Sequence, residues 1–284
     1  MSIQEFATLP QVAINVLNML KDDDSFNIKE LANLIETDAS LTIKLIKVAN
    51  SPMFGITTSV SSVQQAILTL GLNRVSNIAI GIVIFSKFIH SSDKDVKVLM
   101  EEYWNHNAAV GVVSKSLAKR AGFNFKELEF IGGLLHDIGK LAMMQFDNFE
   151  MYRNVIDIVR SRKKTDYEAE ERIFGMTHCD VGKEIATRWK LPDALSAIIG
   201  SHRDFTETKE EYKTIVAVVY VSNLLCDVWG SGFYEGTNSL LLEELPAWKY
   251  IVEKSEKDLD IEEVTFGLEA DYKEASEFIN IVRK

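Results

Sequence analysis

The chain has 284 residues, of which 46% are hydrophobic and 26% are charged, a composition typical of a globular protein with a substantial core. Its 31 basic and 42 acidic residues give a net charge of −11, which argues against a nucleic-acid polymer or an anionic membrane as its main partner, because phosphate groups are bound chiefly by Lys and Arg. Two cysteines are too few for a disulfide framework, the N-terminus does not resemble a secretory signal, and the apolar stretches are shorter than a membrane span. The sequence therefore predicts a cytoplasmic protein without a membrane segment.

The first third of the chain has the pattern of short amphipathic helices. Apolar residues recur at helical spacing between Asp38, a residue suited to an N-cap, and Asn50, a residue suited to a helix end. The following helix is predicted to end at Gly71. The β-branched segment at 74–88 fits either a helix or a buried strand, and we predict a helix because no partner strand is evident nearby.

Polar stretches divide the chain into three parts. The segment HSSDKDVK at 90–97 separates short helices from longer amphipathic ones, and the Gly- and Asn-containing segment at 230–239 is predicted to be a loop. We therefore predict an N-terminal helical lobe at 1–95, a second helical lobe at 96–229, and a loop with peripheral helices at 230–284. The fold class predicted from the sequence is all-α.

Four of the five histidines lie on the apolar faces of predicted helices, and His136 is followed directly by Asp137. The four are His106, His136, His178 and His202, whereas His90 lies in the polar stretch. Separate buried histidines each need a hydrogen-bonding partner or carry a desolvation penalty, and that interpretation stays open. One shared ion would satisfy all four together with Asp137, so we predict a metal site. Imidazole and carboxylate ligands favour a divalent transition metal, Fe, Mn, Zn or Ni, over Ca or Mg.

Three sequence blocks in the order seen here resemble the HDOD family, a bacterial signal-transduction domain related to the HD superfamily of metal-dependent phosphohydrolases. The blocks are NSPMFG at 50–55, AILTLGLNRVSNIA at 66–79 and GLLHDIGKL at 133–141. The resemblance extends from about Leu9 to about Trp229. It implies a two-lobed helical architecture, with an N-terminal lobe packed on an HD-like lobe.

The resemblance also implies a ligand set. HD phosphohydrolases use a first His, the HD pair and a final Asp, and the first three of these correspond to His106, His136 and Asp137. Asn223 stands where the final Asp is expected, and its amide oxygen is a weaker, neutral donor. Asp227, one turn later, is an alternative ligand, although its position near a helix end favours a solvated residue.

The HD-GYP branch of the superfamily adds a later His and then a His-His pair. His178 and His202 resemble the first two of these, but Arg203 occupies the third place and cannot ligate a cation. The Gly-Tyr-Pro signature is absent after His202. A cyclic-dinucleotide phosphodiesterase of that type is therefore not supported.

The candidate catalytic residues of an active centre are Asp137 and Lys140. Lys140, one turn after His136, could neutralise a phosphoryl group, and Arg203 could clamp a phosphate. The alternatives are that Lys140 is a surface residue at a helix end and that Arg203 pairs in solvent with Asp204 or Glu207. Cys179, beside His178, could join the ligands of the metal, but an inert, partly buried thiol is favoured, because its direction on a helix differs from that of His178 by about 100°.

Two hypotheses for the function follow. The first is an HDOD-type regulatory protein of signal transduction that keeps a metal centre, catalyses weakly or not at all, and acts through a signalling protein partner or a small phosphorylated ligand. The loss of the final Asp and the presence of Arg203 motivate it. The second is an active metal-dependent phosphohydrolase for a nucleotide or another small phosphoester, which the complete set of inward-facing histidines motivates.

Overall fold

The computed structural model describes residues 10–21, 27–51, 54, 56, 58–88, 94–162, 164–231 and 241–283. Within these ranges the regular structure is helical and contains no strand, which confirms the all-α prediction. Among the described residues, the chain divides into two compact units, one formed by 10–104 together with 273–283 and the other by 105–272. The predicted polar boundary around His90 and most of the predicted loop at 230–239 lie outside the described residues.

The first unit consists of short helices, as the sequence pattern predicts. Its described helices are α1 (Gln11–Lys21), α2 (Ile28–Glu36), α3 (Ala39–Ala49), α4 (Val63–Leu70) and α5 (Leu72–Phe88), followed by the beginning of α6 (Lys94–Arg120). The side chain of Asp38 accepts hydrogen bonds from the first backbone amides of α3, and Asn50 follows the end of that helix. Gly71, with a φ of 87°, ends α4. These three helix boundaries and the helical state of the segment at 74–88 are confirmed.

Asn50 also fixes the loop that follows α3. Its Oδ1 atom accepts a hydrogen bond of 2.8 Å from the backbone amide of Val60, and its Nδ2 atom donates one of 2.7 Å to the carbonyl oxygen of the same residue. A further bond of 2.9 Å joins Nδ2 to the carbonyl oxygen of Ile46. Asn50 is therefore a structural residue, which joins the end of α3 to the backbone of Val60.

The second unit begins within α6 and contains the histidines predicted to bind metal. Its further helices are α7 (Leu128–Leu135), α8 (Ile138–Gln145), α9 (Glu150–Arg162), α10 (Asp166–Phe174), α11 (His178–Arg188), α12 (Asp193–Ser201), α13 (Glu210–Cys226) and α14 (Pro246–Lys254). The last helix, α15 (Ile261–Arg283), belongs to this unit only as far as residue 272. A π-helical turn at Asp227–Ser231 extends α13.

Two glycine contacts allow the helices around the histidines to approach closely. A Cβ atom at Gly139 in α8 would collide with the carbonyl oxygen of His178 at the start of α11. A Cβ atom at Gly133 in α7 would lie 2.6 Å from the Cα atom of Gly111 in α6. The absence of side chains at these positions lets α6, α7, α8 and α11 meet at backbone distance.

The α13 helix and the π-helical turn that follows it form one long apolar segment. Among the described helices, Glu210–Ser231 is long and apolar enough to cross a membrane by length and composition. However, 67% of its most apolar window is buried within the protein, as is usual for the core helix of a packed domain. The prediction that no stretch has the length of a membrane span is therefore wrong, whereas the burial of α13 agrees with a core position.

Candidate metal centre

The ends of four helices bring three of the predicted histidines and Asp137 to one place. His136 follows the last residue of α7, and Asp137 precedes the first residue of α8. His178 is the first residue of α11, and His202 directly follows α12. The remaining histidine, His106, lies within α6.

Local capping explains why His178 enters at the start of its helix. The side chain of Thr177 accepts a hydrogen bond from the backbone amide of Asp180, whose carboxylate accepts bonds from Thr177 in return. This capping box fixes the first turn of α11. The side chain of Asp137, by contrast, makes no capping bond to α8, so its carboxylate is turned to the histidines.

Asp137 lies at the centre of the cluster. Its Oδ2 atom is 3.8 Å from Nε2 of His106 and 3.5 Å from Nε2 of His136. Its Oδ1 atom is 3.5 Å from Nε2 of His178 and 3.4 Å from Nε2 of His202. The structure thus brings together all five residues predicted as metal ligands, with one pair of imidazoles on each carboxylate oxygen.

All four imidazoles face Asp137 with Nε2, because Nδ1 of each ring forms a hydrogen bond to a group outside the cluster. His106 Nδ1 lies 2.7 Å from the carbonyl oxygen of Ser231, and His136 Nδ1 lies 2.7 Å from that of Gly133. Nδ1 of His202 lies 3.2 Å from the carbonyl oxygen of Ile199. Carbonyl oxygens only accept hydrogen bonds, so in these rings Nδ1 carries the proton and Nε2 keeps its lone pair in the neutral imidazole.

His178 is held by a carboxylate instead. Its Nδ1 atom donates a hydrogen bond of 2.6 Å to Oε2 of Glu170, which also accepts one of 2.8 Å from the backbone amide of His178. The second oxygen of Glu170 accepts a bond from the hydroxyl of Tyr152 at 3.2 Å. A carboxylate behind a histidine is a common arrangement around metal ions, where it fixes the ring and increases its basicity.

These residues fit a divalent transition metal. Ligand atoms about 2.1 Å from one ion, at angles between octahedral and tetrahedral values, lie about 3.0 to 3.4 Å apart. The distances around Asp137 approach this range, and Nε2 of His178 lies 3.2 Å from Nε2 of His202. Two lone pairs at that separation repel unless a cation or a proton lies between them. The buried Nε2 atom of His136 makes no hydrogen bond within the described part of the chain, as expected of a nitrogen reserved for a ligand.

The electrostatics of the centre also favour a positive charge on the side of His178 and His202. Burial opposes protonation of both rings, but Glu170 and Cys179 raise the pKa of His178 well above its ordinary value. Cys179 and Asp137 raise the pKa of His202 to about 9 against the same effect of burial. On the other side, burial lowers the pKa of His136 well below its ordinary value.

Lys140 is buried within the centre, so the alternative of a surface residue is wrong. Its Nζ atom lies 2.8 Å from Oδ2 of Asp137 and 2.8 Å from Oδ2 of Asp166. Burial alone would raise the pKa of Asp137, yet His136 and Lys140 hold that pKa well below its ordinary value. Asp137 is therefore a carboxylate at neutral pH.

Arg203 pairs with an acid other than the two neighbours expected from the sequence. Its Nη2 atom donates a hydrogen bond of 2.6 Å to Oδ2 of Asp166, the oxygen that also faces Lys140. Both residues predicted to bind phosphate thus converge on one buried carboxylate. Sequence analysis missed Asp166 and Glu170, although the signal was two acids one turn apart on the face of α10 that buries Ala169.

Asp227 is buried rather than solvated, which corrects the expectation for this residue. Its Oδ1 atom lies 3.9 Å from Nδ1 of His106, and its side chain is 2% exposed. The chain does not leave α13 into solvent here, because the π-helical turn continues it as far as Ser231, whose carbonyl oxygen accepts the bond from His106. Asn223, one turn before Asp227, is completely buried in α13.

Cys179 faces the cluster, contrary to the expectation of an inert thiol pointing elsewhere. Its Sγ atom lies 3.8 Å from Nδ1 and 4.0 Å from Nε2 of His202. Cys179 and His178 point in different directions from α11, but both side chains contact the ring of His202, which follows α12. Burial opposes ionisation of the thiol, yet His202 and His178 lower its pKa to about 6.

Comparisons with known proteins agree with this fold. A family model of the HDOD domain matches residues 6–205. The crystal structure of an HDOD domain protein of unknown function from Geobacter sulfurreducens is similar over 99% of this chain and 96% of that chain, with a TM-score of 0.83 and 27% identity. A proposed metal-dependent phosphohydrolase from Shewanella amazonensis SB2B is similar over 97% of this chain and 91% of that chain, with a TM-score of 0.69. Its identity of 18% limits that similarity to the fold.

A sequence relative is longer than this chain. A protein of Treponema pallidum (strain Nichols), named only as uncharacterized, is 24% identical over 223 residues, which are 78% of this chain and 42% of that relative. The matched region therefore spans less than half the length of that protein.

Proposed function

Because the chain belongs to the HDOD domain family, we propose that it is a regulatory protein of signal transduction that holds a divalent transition metal in a buried centre and has little or no catalytic activity. The observation that carries this proposal is the burial of the centre. The five predicted ligands and Lys140 each have an exposed fraction of 0%. Such a centre holds an ion well but offers a phosphoester no surface on which to bind.

The ion pairs of the two cations support the same conclusion. A phosphohydrolase needs positive groups that can face the phosphoryl oxygens. The ammonium group of Lys140 already pairs with Asp137 and Asp166, and Arg203 pairs with Asp166. To bind phosphate, both would have to exchange a buried carboxylate for the substrate, which costs free energy.

The regulatory role would be performed without turnover. In this proposal the metal stabilises the helices that meet at Asp137, and the protein signals in the cytoplasm through a protein partner or a small phosphorylated ligand. The net charge of −11 supports a partner other than a nucleic-acid polymer or a membrane. Fe, Mn, Zn and Ni are the candidate ions for this ligand set.

An active phosphohydrolase is the second candidate, and the complete set of four imidazoles and one carboxylate favours it. A divalent metal supplies Lewis acidity and a lowered pKa of water when bound. The chain itself would contribute Asp137 and the held histidines as ligands. Lys140 would have to leave Asp166 to neutralise a phosphoryl group.

A hydrolysis screen separates the two candidates. Full-length protein loaded with Mn, Fe, Zn or Ni is assayed with phosphomonoesters, phosphodiesters and nucleotides, beside the Asp137→Ala variant. The regulatory proposal expects rates at the level of the variant for all substrates, together with metal in the wild-type protein. Metal-dependent turnover at enzyme-like rates, abolished in Asp137→Ala, would overturn it in favour of the phosphohydrolase.

A further inference from the structure

Cys179 lies among the donor atoms of one half of the metal centre. Its Sγ atom, one ring nitrogen of His178 and one of His202 lie within 4.8 Å of one another, and the three residues are buried. The distance from Sγ to Nε2 of His202 is 4.0 Å. Cys179 and His178 come from the first turn of α11, whereas His202 follows α12, so that the group is assembled by the packing of two helices.

The same half contains a carboxylate oxygen. Oδ1 of Asp137 lies 3.5 Å from Nε2 of His178 and 3.4 Å from Nε2 of His202, longer than a normal hydrogen bond in both cases. This atom makes no hydrogen bond within the described ranges of the chain. Two imidazole nitrogens and one carboxylate oxygen therefore face one another, and the sulfur of Cys179 lies beside His202 in the same buried region.

Four donors of these types are a standard tetrahedral set. With metal–nitrogen distances of about 2.1 Å and metal–sulfur distances of about 2.3 Å, a sulfur and a nitrogen on one ion lie about 3.6 to 3.8 Å apart. The separation of 4.0 Å between Sγ and Nε2 of His202 exceeds this range, and Sγ lies 3.8 Å from Nδ1 of the same ring. Binding to an ion on Nε2 therefore requires a rotation of the Cys179 side chain that moves Sγ away from Nδ1 and towards the front of Nε2.

The other half of the centre differs in its chemistry. Oδ2 of Asp137 faces His106 and His136, and it also pairs with the ammonium group of Lys140. That half offers nitrogen and oxygen only. A thiolate would make the half of His178 and His202 the softer of the two, which favours zinc or ferrous iron over manganese.

We propose that Cys179 is a metal ligand, which completes a four-coordinate site with His178, His202 and Oδ1 of Asp137. The proposal rests on the metal centre of the proposed function, of which it uses three of the five predicted ligands, and it adds a soft ligand to them.

Cobalt substitution tests this assignment without an activity assay. Metal-free full-length protein is titrated with Co²⁺ under anaerobic conditions, and its absorption spectrum is recorded. Cobalt bound by a thiolate gives an intense charge-transfer band in the near ultraviolet, whereas cobalt bound by nitrogen and oxygen alone gives only the weaker bands in the visible range. The variants are Cys179→Ser and, as the matched control, Cys226→Ser, which replaces the other buried cysteine of the chain.

The proposal expects the charge-transfer band in the wild-type protein and in Cys226→Ser, and its loss in Cys179→Ser with the visible bands retained. The Cys226→Ser protein is decisive even where Cys179→Ser does not fold, because Cys179 is then the only thiol of the chain. Visible bands without the charge-transfer band in wild-type protein would overturn the assignment of Cys179 and leave the proposed centre intact. No cobalt bands at all would overturn the metal centre and the assignment together.

Discussion

The Nδ1 atom of His178 donates a hydrogen bond of 2.6 Å to Oε2 of Glu170, and both side chains are completely buried. This contact connects α10 to the candidate metal centre. It fixes the ring so that Nε2 faces Asp137, at 3.5 Å from Oδ1. Glu170 is therefore a positioning residue, whose effect is measurable through the affinity for metal.

Substitution Glu170→Gln is expected to weaken metal binding by about 10- to 100-fold, as for other carboxylates behind metal-bound histidines. The charge that supports the imidazole is lost, while the size of the side chain is kept. Competition titration with a chromophoric chelator measures the change in Kd. Glu171→Gln is the matched control, because Glu171 is the exposed neighbour in the same helix. Equal affinities for the two variants would contradict the role of Glu170.

Removal of Lys140 is expected to destabilise the metal-free protein. Lys140→Met keeps most of the side-chain volume but leaves Asp137 and Asp166 without the ammonium group that lies 2.8 Å from each. Loss of one partner from a buried ion pair costs about 3 to 5 kcal/mol. Urea denaturation in the presence of a chelator gives the free energy of unfolding. Lys119→Met, at an exposed position of α6, should change this free energy little.

The close approach of α8 to α11 makes Gly139 sensitive to substitution. In Gly139→Ala the added Cβ atom would collide with the carbonyl oxygen of His178, so the helices must separate. We expect a loss of about 1 to 3 kcal/mol or more in the free energy of unfolding, together with weaker metal binding. At Gly200 a Cβ atom would meet only the Lys183 side chain, at 3.5 Å. Gly200→Ala should therefore be neutral or stabilising, and a similar loss in both variants would contradict this account of Gly139.

Metal should raise the thermal stability of the native protein. An ion that binds only the folded state at a free concentration of 100 times its Kd adds about 2.7 kcal/mol to the free energy of unfolding. Differential scanning calorimetry of chelator-treated protein, with and without Mn, Fe, Zn or Ni, should show an increase in Tm of several degrees for at least one ion. Ca and Mg serve as control ions, since imidazole nitrogens bind them poorly. An unchanged Tm with every transition metal would mean that the histidines are ordinary core residues.

Helical periodicity was sufficient to predict that His106, His136, His178 and His202 face inward, because each lies on a stripe of apolar residues. The preferences of single residue types were sufficient to predict the helix boundaries at Asp38, Asn50 and Gly71. These features depend on residues within one helix, and such patterns are visible in the sequence.

The contacts between helices could not be predicted in the same way. Asp166 and Glu170 lie in an acidic helix, and an acidic pattern is typical of a solvent-exposed surface. These two residues are buried because α10 packs beside α11. The position of Cys179 beside His202 depends on the packing of α11 against α12, which helical periodicity does not predict. Asp227 was expected to be solvated, because the π-helical turn that continues α13 has no clear sequence signature.

The most direct test of the metal centre is elemental analysis by plasma mass spectrometry of untagged protein purified without chelators. Asp137→Ala is the test variant, since Asp137 faces all four histidines, and Asp157→Ala, at an exposed position of α9, is the control. The account predicts near-stoichiometric Fe, Mn, Zn or Ni in wild-type protein and in Asp157→Ala, and its loss in Asp137→Ala. Absence of metal from all three proteins, or equal metal in all three, would contradict it.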